Sequence, residues 1–192
     1  MGSLQSQPDP ISNLKNLPKI KETDLADGLN GNIQTIKMMT KIARERSGDP
    51  KIRKLALNIL SFYNVPSHFY IDESIAIADY IKKKVRYVRD PDGIEYLQDP
   101  KDLVEQMEIA NAQGDCDDMA LLTATLLLSI GHQPKYRAVR YSKSFGNYNH
   151  IYVVDYENNK GSKRTRIVLD CILKDKQIGT EVPHLNGEEY DV

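Results

Sequence analysis

Of the two cysteines in this 192-residue chain, Cys116 stands where a thiol is chemically useful. It lies in Gly114-Asp115-Cys116-Asp117-Asp118, directly before a long apolar stretch, so it falls at the start of a helix. A helix N-terminus offers free backbone N–H groups and a partial positive potential, which favour thiolate and can receive an oxyanion. Gly114 lets a substrate backbone approach closely. Asp115 is a good N-cap, and Asp117 and Asp118 suit the first turn. The same carboxylates raise the pKa of the thiol, so a nucleophile here needs a positive partner, of which histidine is the usual one. The competing reading of Cys116 is a small buried hydrophobe. Its aspartate neighbours argue against a dry apolar site.

Four histidines compete for the partner role. His68 follows Pro66-Ser67 in a linker and caps or packs locally. His132 lies past the far end of the apolar helix, about 20 Å from Cys116 at ~1.5 Å per residue, and is excluded. His184 belongs to a tail containing proline and glycine. His150 opens a strand after a polar loop and projects from a sheet edge, which makes it the best placed. A basic imidazole needs an orienting acceptor. Asp170 closes the run Arg166-Ile167-Val168-Leu169-Asp170. Asp155 is five positions from His150 on one strand, so its side chain points to the opposite face. The ordered set is Cys116, His150 after 34 residues and Asp170 after 20 more. Cys171, adjacent to Asp170, points away from the site and is expected to be a buried or spare thiol.

The elements that must hold these residues follow from apolar spacing. Helical periodicity covers 32–46, then 50–63 after the stop Ser47-Gly48-Asp49-Pro50, then 72–85. Arg86 to Arg89 reads as a short strand and Asp90-Pro91-Asp92-Gly93 as a turn. A short helix runs from Asp99-Pro100 to about Ile109, followed by a loop over 110–115. The segment from Cys116 to Ile130 is apolar nearly all round, so it is a buried central helix, stopped by Gly131. Three strand-like runs follow, at 135–141, 151–156 and 165–170. Helices first and an antiparallel-looking sheet afterwards imply an α+β fold. Residues 1–28 read as a flexible polar arm and 29–192 as a single domain.

Composition narrows the function classes. There are 26 basic and 27 acidic residues, for a net charge of -1. No general field draws such a chain onto nucleic acid or a membrane. Two cysteines rule out a disulfide-dense scaffold and a four-cysteine zinc site. The N-terminus has no apolar signal region, and the longest mostly apolar run is too short to span a bilayer, so a cytoplasmic location is expected. Met1-Gly2-Ser3-Leu4-Gln5-Ser6 fits only a loose myristoylation pattern. The basic runs Lys82-Lys83-Lys84 and Lys160 to Arg166 read as solvated faces, the second leaving an acidic substrate open.

Gly114-Asp115-Cys116-Asp117-Asp118-Met119-Ala120, the apolar helix and Gly131-His132-Gln133-Pro134-Lys135-Tyr136-Arg137 together resemble the core of the transglutaminase-like superfamily. Asn149-His150-Ile151-Tyr152-Val153 resembles its histidine strand, and Ile167-Val168-Leu169-Asp170 its aspartate strand. Val85 to Asp90 and Glu95 to Pro100 resemble a bacterial and phage-associated branch. The resemblance spans about residues 30–175. It implies a papain-like α+β core with Cys116 as nucleophile, His150 as base and then acid, and Asp170 as orienter. It also implies an upstream glutamine at the oxyanion site, for which Gln98 and Gln113 both stand available beside Gly114, Asp115 and Asp117. Asp115 and Asp117 replace the glutamine and tryptophan that flank the nucleophile in animal crosslinking enzymes, and the chain has no tryptophan. This argues against protein crosslinking of that type.

The expected function is a cysteine-nucleophile enzyme acting on amide bonds of a protein or peptide substrate, by hydrolysis or transfer to an amine, with no cofactor and no metal. One alternative is a catalytically silent binding or assembly module. Another is a zinc site built from Asp115, Cys116, Asp117, His150 and Asp170; the helix-start geometry favours a metal-free thiol over it.

Overall fold

The computed structural model describes residues 28–91, 95–143, 147–156 and 165–192. The arm over 1–27, with its myristoylation-like start, lies outside them, as do parts of the Asp90–Gly93 turn and of the Lys160–Arg166 run. Two helices come first, α1 (Leu29–Ser47) and α2 (Pro50–Phe62). Asp49 ends one and starts the other: its carboxylate caps the N–H of Lys51, and Pro50 occupies the first helical position. Next come α3 (Tyr70–Lys84), the two-residue strand β1 (Arg86–Tyr87) and α4 (Pro100–Glu108), which Asp99 caps in the same way as Asp49. The expected loop over 110–115 contains a second short strand, β2 (Gln113–Gly114), parallel to β1.

The buried central helix is α5 (Cys116–Ser129). Leu121, Leu122, Ala124, Leu126 and Leu127 are all at 0% exposure, and only Cys116 and Leu128, toward the two ends, are half-buried. Thr123 and Thr125 are tolerated there because their hydroxyls donate back to the Met119 and Leu121 carbonyls. Helices α1, α2, α3 and α4 pack around α5, which settles the first two helices onto the core. Strands β3 (Lys135–Arg140), β4 (His150–Tyr156), β5 (Arg166–Leu169) and β6 (Asn186–Asp191) form one antiparallel sheet in the order β5-β4-β3-β6. The protein is an α+β fold with its central helix packed on that sheet.

Strand β6 is absent from the sequence reading, which left this region as a tail. Its sequence, Asn-Gly-Glu-Glu-Tyr-Asp, carries no apolar alternation. It is held by backbone pairing along all of β3 and by ion pairs such as Lys135–Asp191 and Arg166–Glu189. Gly187 is required here, since a Cβ would lie 2.8 Å from Val139 Cγ1 and 3.0 Å from the Ala138 carbonyl.

At the far end of α5, His132 is buried between two carboxylates. Its Nδ1 lies 2.6 Å from Asp155 Oδ2 and its Nε2 2.8 Å from Glu73 Oε2. Ser74 donates to the same Asp155 oxygen at 2.6 Å. Asp155 is therefore committed to a structural cluster on the α5 side of β4, away from His150. Burial pulls the imidazole down, but the hydrogen bonds and charges of Asp155 and Glu73 outweigh it and hold His132 above its ordinary 6.5. A pKa raised on folding stabilises fully below the unfolded value and is lost as pH climbs through the folded one. Urea unfolding between about pH 6 and about pH 9 is expected to show stability falling with pH, with that component missing in His132→Gln. Equal pH slopes in the two proteins would contradict the assignment.

Candidate active site

The first turn of α5 is tied down by its own aspartates. Asp115 accepts the Asp117 N–H at 3.2 Å, and Asp118 Oδ2 accepts the Asp115 N–H at 3.4 Å, a reciprocal capping box. Asp118 N–H in turn goes to Asp117 Oδ1 at 2.9 Å. Among the described residues this leaves the N–H of Cys116 itself as the unspent donor of the turn, the position an oxyanion would use.

Gln98 is committed within the fold by its side chain. Its backbone N–H donates to Asp118 Oδ1, and its side-chain Nε2 donates to both Asp118 Oδ2 and the Gln113 carbonyl, each at 2.7 Å. Its Oε1 accepts from Gln106 at 3.0 Å. Both amide protons are spent on holding the helix start to β2, so Gln98 has no donor left for a substrate. Gln113 Oε1 accepts from Arg86 at 2.5 Å, which turns that side chain toward β1. Gly114 is forced by space: a Cβ would sit 2.8 Å from both Asp118 Cβ and Oδ2.

His150 opens β4, and Asp170, the expected end of the third strand, immediately follows β5, which stops at Leu169. His150 Nε2 and Asp170 Oδ2 are 2.8 Å apart, and both residues are buried. Asp170 Oδ1 accepts the Ile172 N–H, which fixes the carboxylate. Tyr141 stacks on the imidazole at 5.5 Å and 22°, while Tyr152 tilts against it at 5.6 Å. Neither tyrosine was singled out from the sequence; the alternation that puts Tyr152 on the same strand face as His150 was the available signal. The rings cover a hydrogen bond that water would otherwise weaken.

Cys116 is half-buried, and the backbone N–H of Ile151, the residue after His150, is near enough to favour its thiolate. Thus the thiol and the imidazole are brought to one end of β4, with Tyr141 beside both Asp170 and Cys116. No sulfur–imidazole hydrogen bond is formed among the described residues; such contacts often tighten only around substrate. Burial, followed by the charges of Asp117 and Asp115, pushes the thiol well above its ordinary value. Burial also raises Asp117 well above the carboxylate range and lifts Asp118 to about 7, there against the donors from Gln98.

The zinc set of Asp115, Cys116, Asp117, His150 and Asp170 does not gather. Among the described residues, the metal-capable atoms that converge belong to Asp115, Asp117 and Asp118, all within 4.8 Å of one another. These three carboxylates are the ones that accept the N–H groups of the helix start. The buried Asp117 carboxyl, raised as it is, can share its proton with the carboxylates of Asp115 and Glu95 beside it.

Cys171 is buried against the Thr123 hydroxyl and the Ala78 carbonyl. Burial pushes its thiol up to about 12. A thiol-directed electrophile in limiting amount is expected to mark Cys116 and spare Cys171 until the protein is unfolded, as peptide mass mapping would show. Gly114→Ala should displace Asp118, lower stability by about 1–3 kcal/mol and slow labelling of Cys116. Unchanged labelling and stability would mean that the turn is not held by this close approach.

No family model matches the chain, and no curated protein matches it. Among solved structures it is similar to a candidate cysteine protease from Cytophaga hutchinsonii, at 17% identity and a TM-score of 0.45, over 66% of this chain and 38% of that one. It is also similar to Legionella pneumophila LapG, at 17% identity and a TM-score of 0.42, over 73% of this chain and 74% of that one. The chain thus spans less than two thirds of the length of the first.

Proposed function

We propose that this protein is a cysteine-nucleophile enzyme that acts on amide bonds of a protein or peptide, with Cys116, His150 and Asp170 as its triad. The observation that carries the reading is the buried 2.8 Å contact between His150 Nε2 and Asp170 Oδ2 at the strand end where the Cys116 sulfur sits. Asp170 orients the ring through Nε2 and stabilises its positive charge. Nδ1 is then the nitrogen that serves the thiol. The surrounding carboxylates and burial oppose a free thiolate, so the cationic imidazole supplies what the helix start alone does not.

In the first half-reaction His150 takes the thiol proton, and the Cys116 sulfur attacks the amide carbonyl carbon. The oxyanion is met by the Cys116 N–H. The carbon–nitrogen bond breaks as His150 passes its proton to the leaving amine, and a thioester remains. Water or a second amine then attacks the thioester with His150 as base, and the thiol is released. The aspartates on either side of Cys116 and the lack of tryptophan favour a peptidase or amidase over a crosslinking enzyme.

An unfolded protein substrate offered together with a labelled primary amine separates the outcomes. New N-termini report hydrolysis and label incorporation reports transfer. Both should vanish in Cys116→Ala and fall by about two orders of magnitude or more in His150→Ala. Turnover that survives Cys116→Ala would overturn the proposal, and silence of the wild-type chain toward all amide substrates would favour the binding module.

A further inference from the structure

Six cationic side chains converge on one cleft of about 940 Å³, at the large end for a ligand pocket. Lys82, Lys83 and Lys84 come from the last turn of α3, Arg86 from β1, and Lys174 and Lys176 from the segment after β5. A single carboxylate, Asp79, lines the cleft, and it is paired with Lys83. Three of the other cations meet neutral groups. Lys82 donates to the Lys176 carbonyl, Lys84 lies 5.8 Å over the Tyr80 ring, and Arg86 donates to Gln113. Cations at a helix C-terminus are favourable by themselves, which accounts for the three α3 lysines. It does not account for Arg86, Lys174 and Lys176 facing the same space from separate segments.

The position of the cleft connects it to the candidate site. One wall contains Gln113, three residues before Cys116, so their Cα atoms are at most about 11 Å apart. Another contains Lys174, four residues after Asp170. The chemistry of the walls favours carboxylates along an extended chain over a compact phosphate. A helix contributes its carbonyl end here, not the N–H groups that cradle phosphate, and the cations are spread over three segments.

We propose that this cleft docks an acidic stretch of polypeptide, holding its side-chain carboxylates on Lys82, Lys84, Arg86, Lys174 and Lys176. That the stretch belongs to the substrate rests on the amide-cleaving reading above; the binding itself does not. Lys84, Arg86, Lys174 and Lys176 are exposed, so their substitution leaves the core intact.

The test uses the full chain carrying Cys116→Ala, so that nothing is turned over, and fluorescein-labelled hexaglutamate followed by anisotropy. Binding is expected at low ionic strength, weakening as salt is added. Lys174→Glu combined with Lys176→Glu should weaken it about tenfold or more, and so should Lys84→Glu combined with Arg86→Glu on the facing wall. Labelled hexalysine should not bind. Absence of hexaglutamate binding, or binding indifferent to both double reversals, would overturn the proposal. So would displacement of the peptide by inorganic pyrophosphate at far lower concentration than by unlabelled hexaglutamate, which would mark a phosphate site. An inactive wild-type chain would sink the catalytic reading and leave the peptide-binding result standing.

Discussion

Two hydrogen bonds of 2.7 Å, from the backbone and side chain of Gln98 to the two oxygens of Asp118, hold the first turn of α5 in place. The second proton of that side-chain Nε2 goes to the Gln113 carbonyl and ties β2 to the same point. A helix start held inside the fold must find partners there for its leading N–H groups. Here aspartates accept those of Asp115, Asp117 and Asp118, the Cys116 N–H is left over, and Gln98 makes the burial of the carboxylates tolerable. The cost is a crowded negative cluster beside Cys116, visible in the raised carboxyls of Asp117 and Asp118. The same cluster explains why a thiol in this position depends on a cationic neighbour.

Strand β4 serves both ends of α5. Its first residue, His150, meets Asp170 near the start of the helix, and Asp155 meets His132 near its end. Each is a buried imidazole against a carboxylate, yet their surroundings separate them. His132 has both ring nitrogens occupied by carboxylates and no route to a reactant. His150 spends Nε2 on Asp170, and tyrosine rings flank its faces at the edge where the thiol lies. Burying a charged pair is costly unless its geometry is good, and removing one member alone leaves an uncompensated charge. The His132 cluster therefore ties the end of α5 to β4 and α3, the His150–Asp170 pair ties β4 to the end of β5, and only the second leaves a nitrogen for chemistry.

Much of this was legible in the sequence because it rests on local rules. The apolar run from Met119 to Ile130, the helix starts at Pro50 and at Asp99-Pro100, and the opposite faces of His150 and Asp155 follow from periodicity and proline placement alone. The choice of Asp170 over Asp155 used the same strand alternation. What stayed hidden depends on contacts between distant segments. The Asn186–Asp191 strand has no apolar alternation, since backbone pairing and ion pairs hold it. Gln98 read as an oxyanion candidate because residue type alone does not reveal that both its amide protons are used. The lysines of α3 read as a solvated face because Lys174 and Lys176 are about ninety residues away in the chain.

The central claim is that His150, oriented by Asp170, activates the Cys116 thiol against its unfavourable surroundings. Its most direct test is the second-order rate constant for alkylation of Cys116 by iodoacetamide at neutral pH, in the wild-type chain and in His150→Ala. The account predicts a fall of about a hundredfold on removal of the imidazole. Equal rates in two equally folded proteins would contradict it.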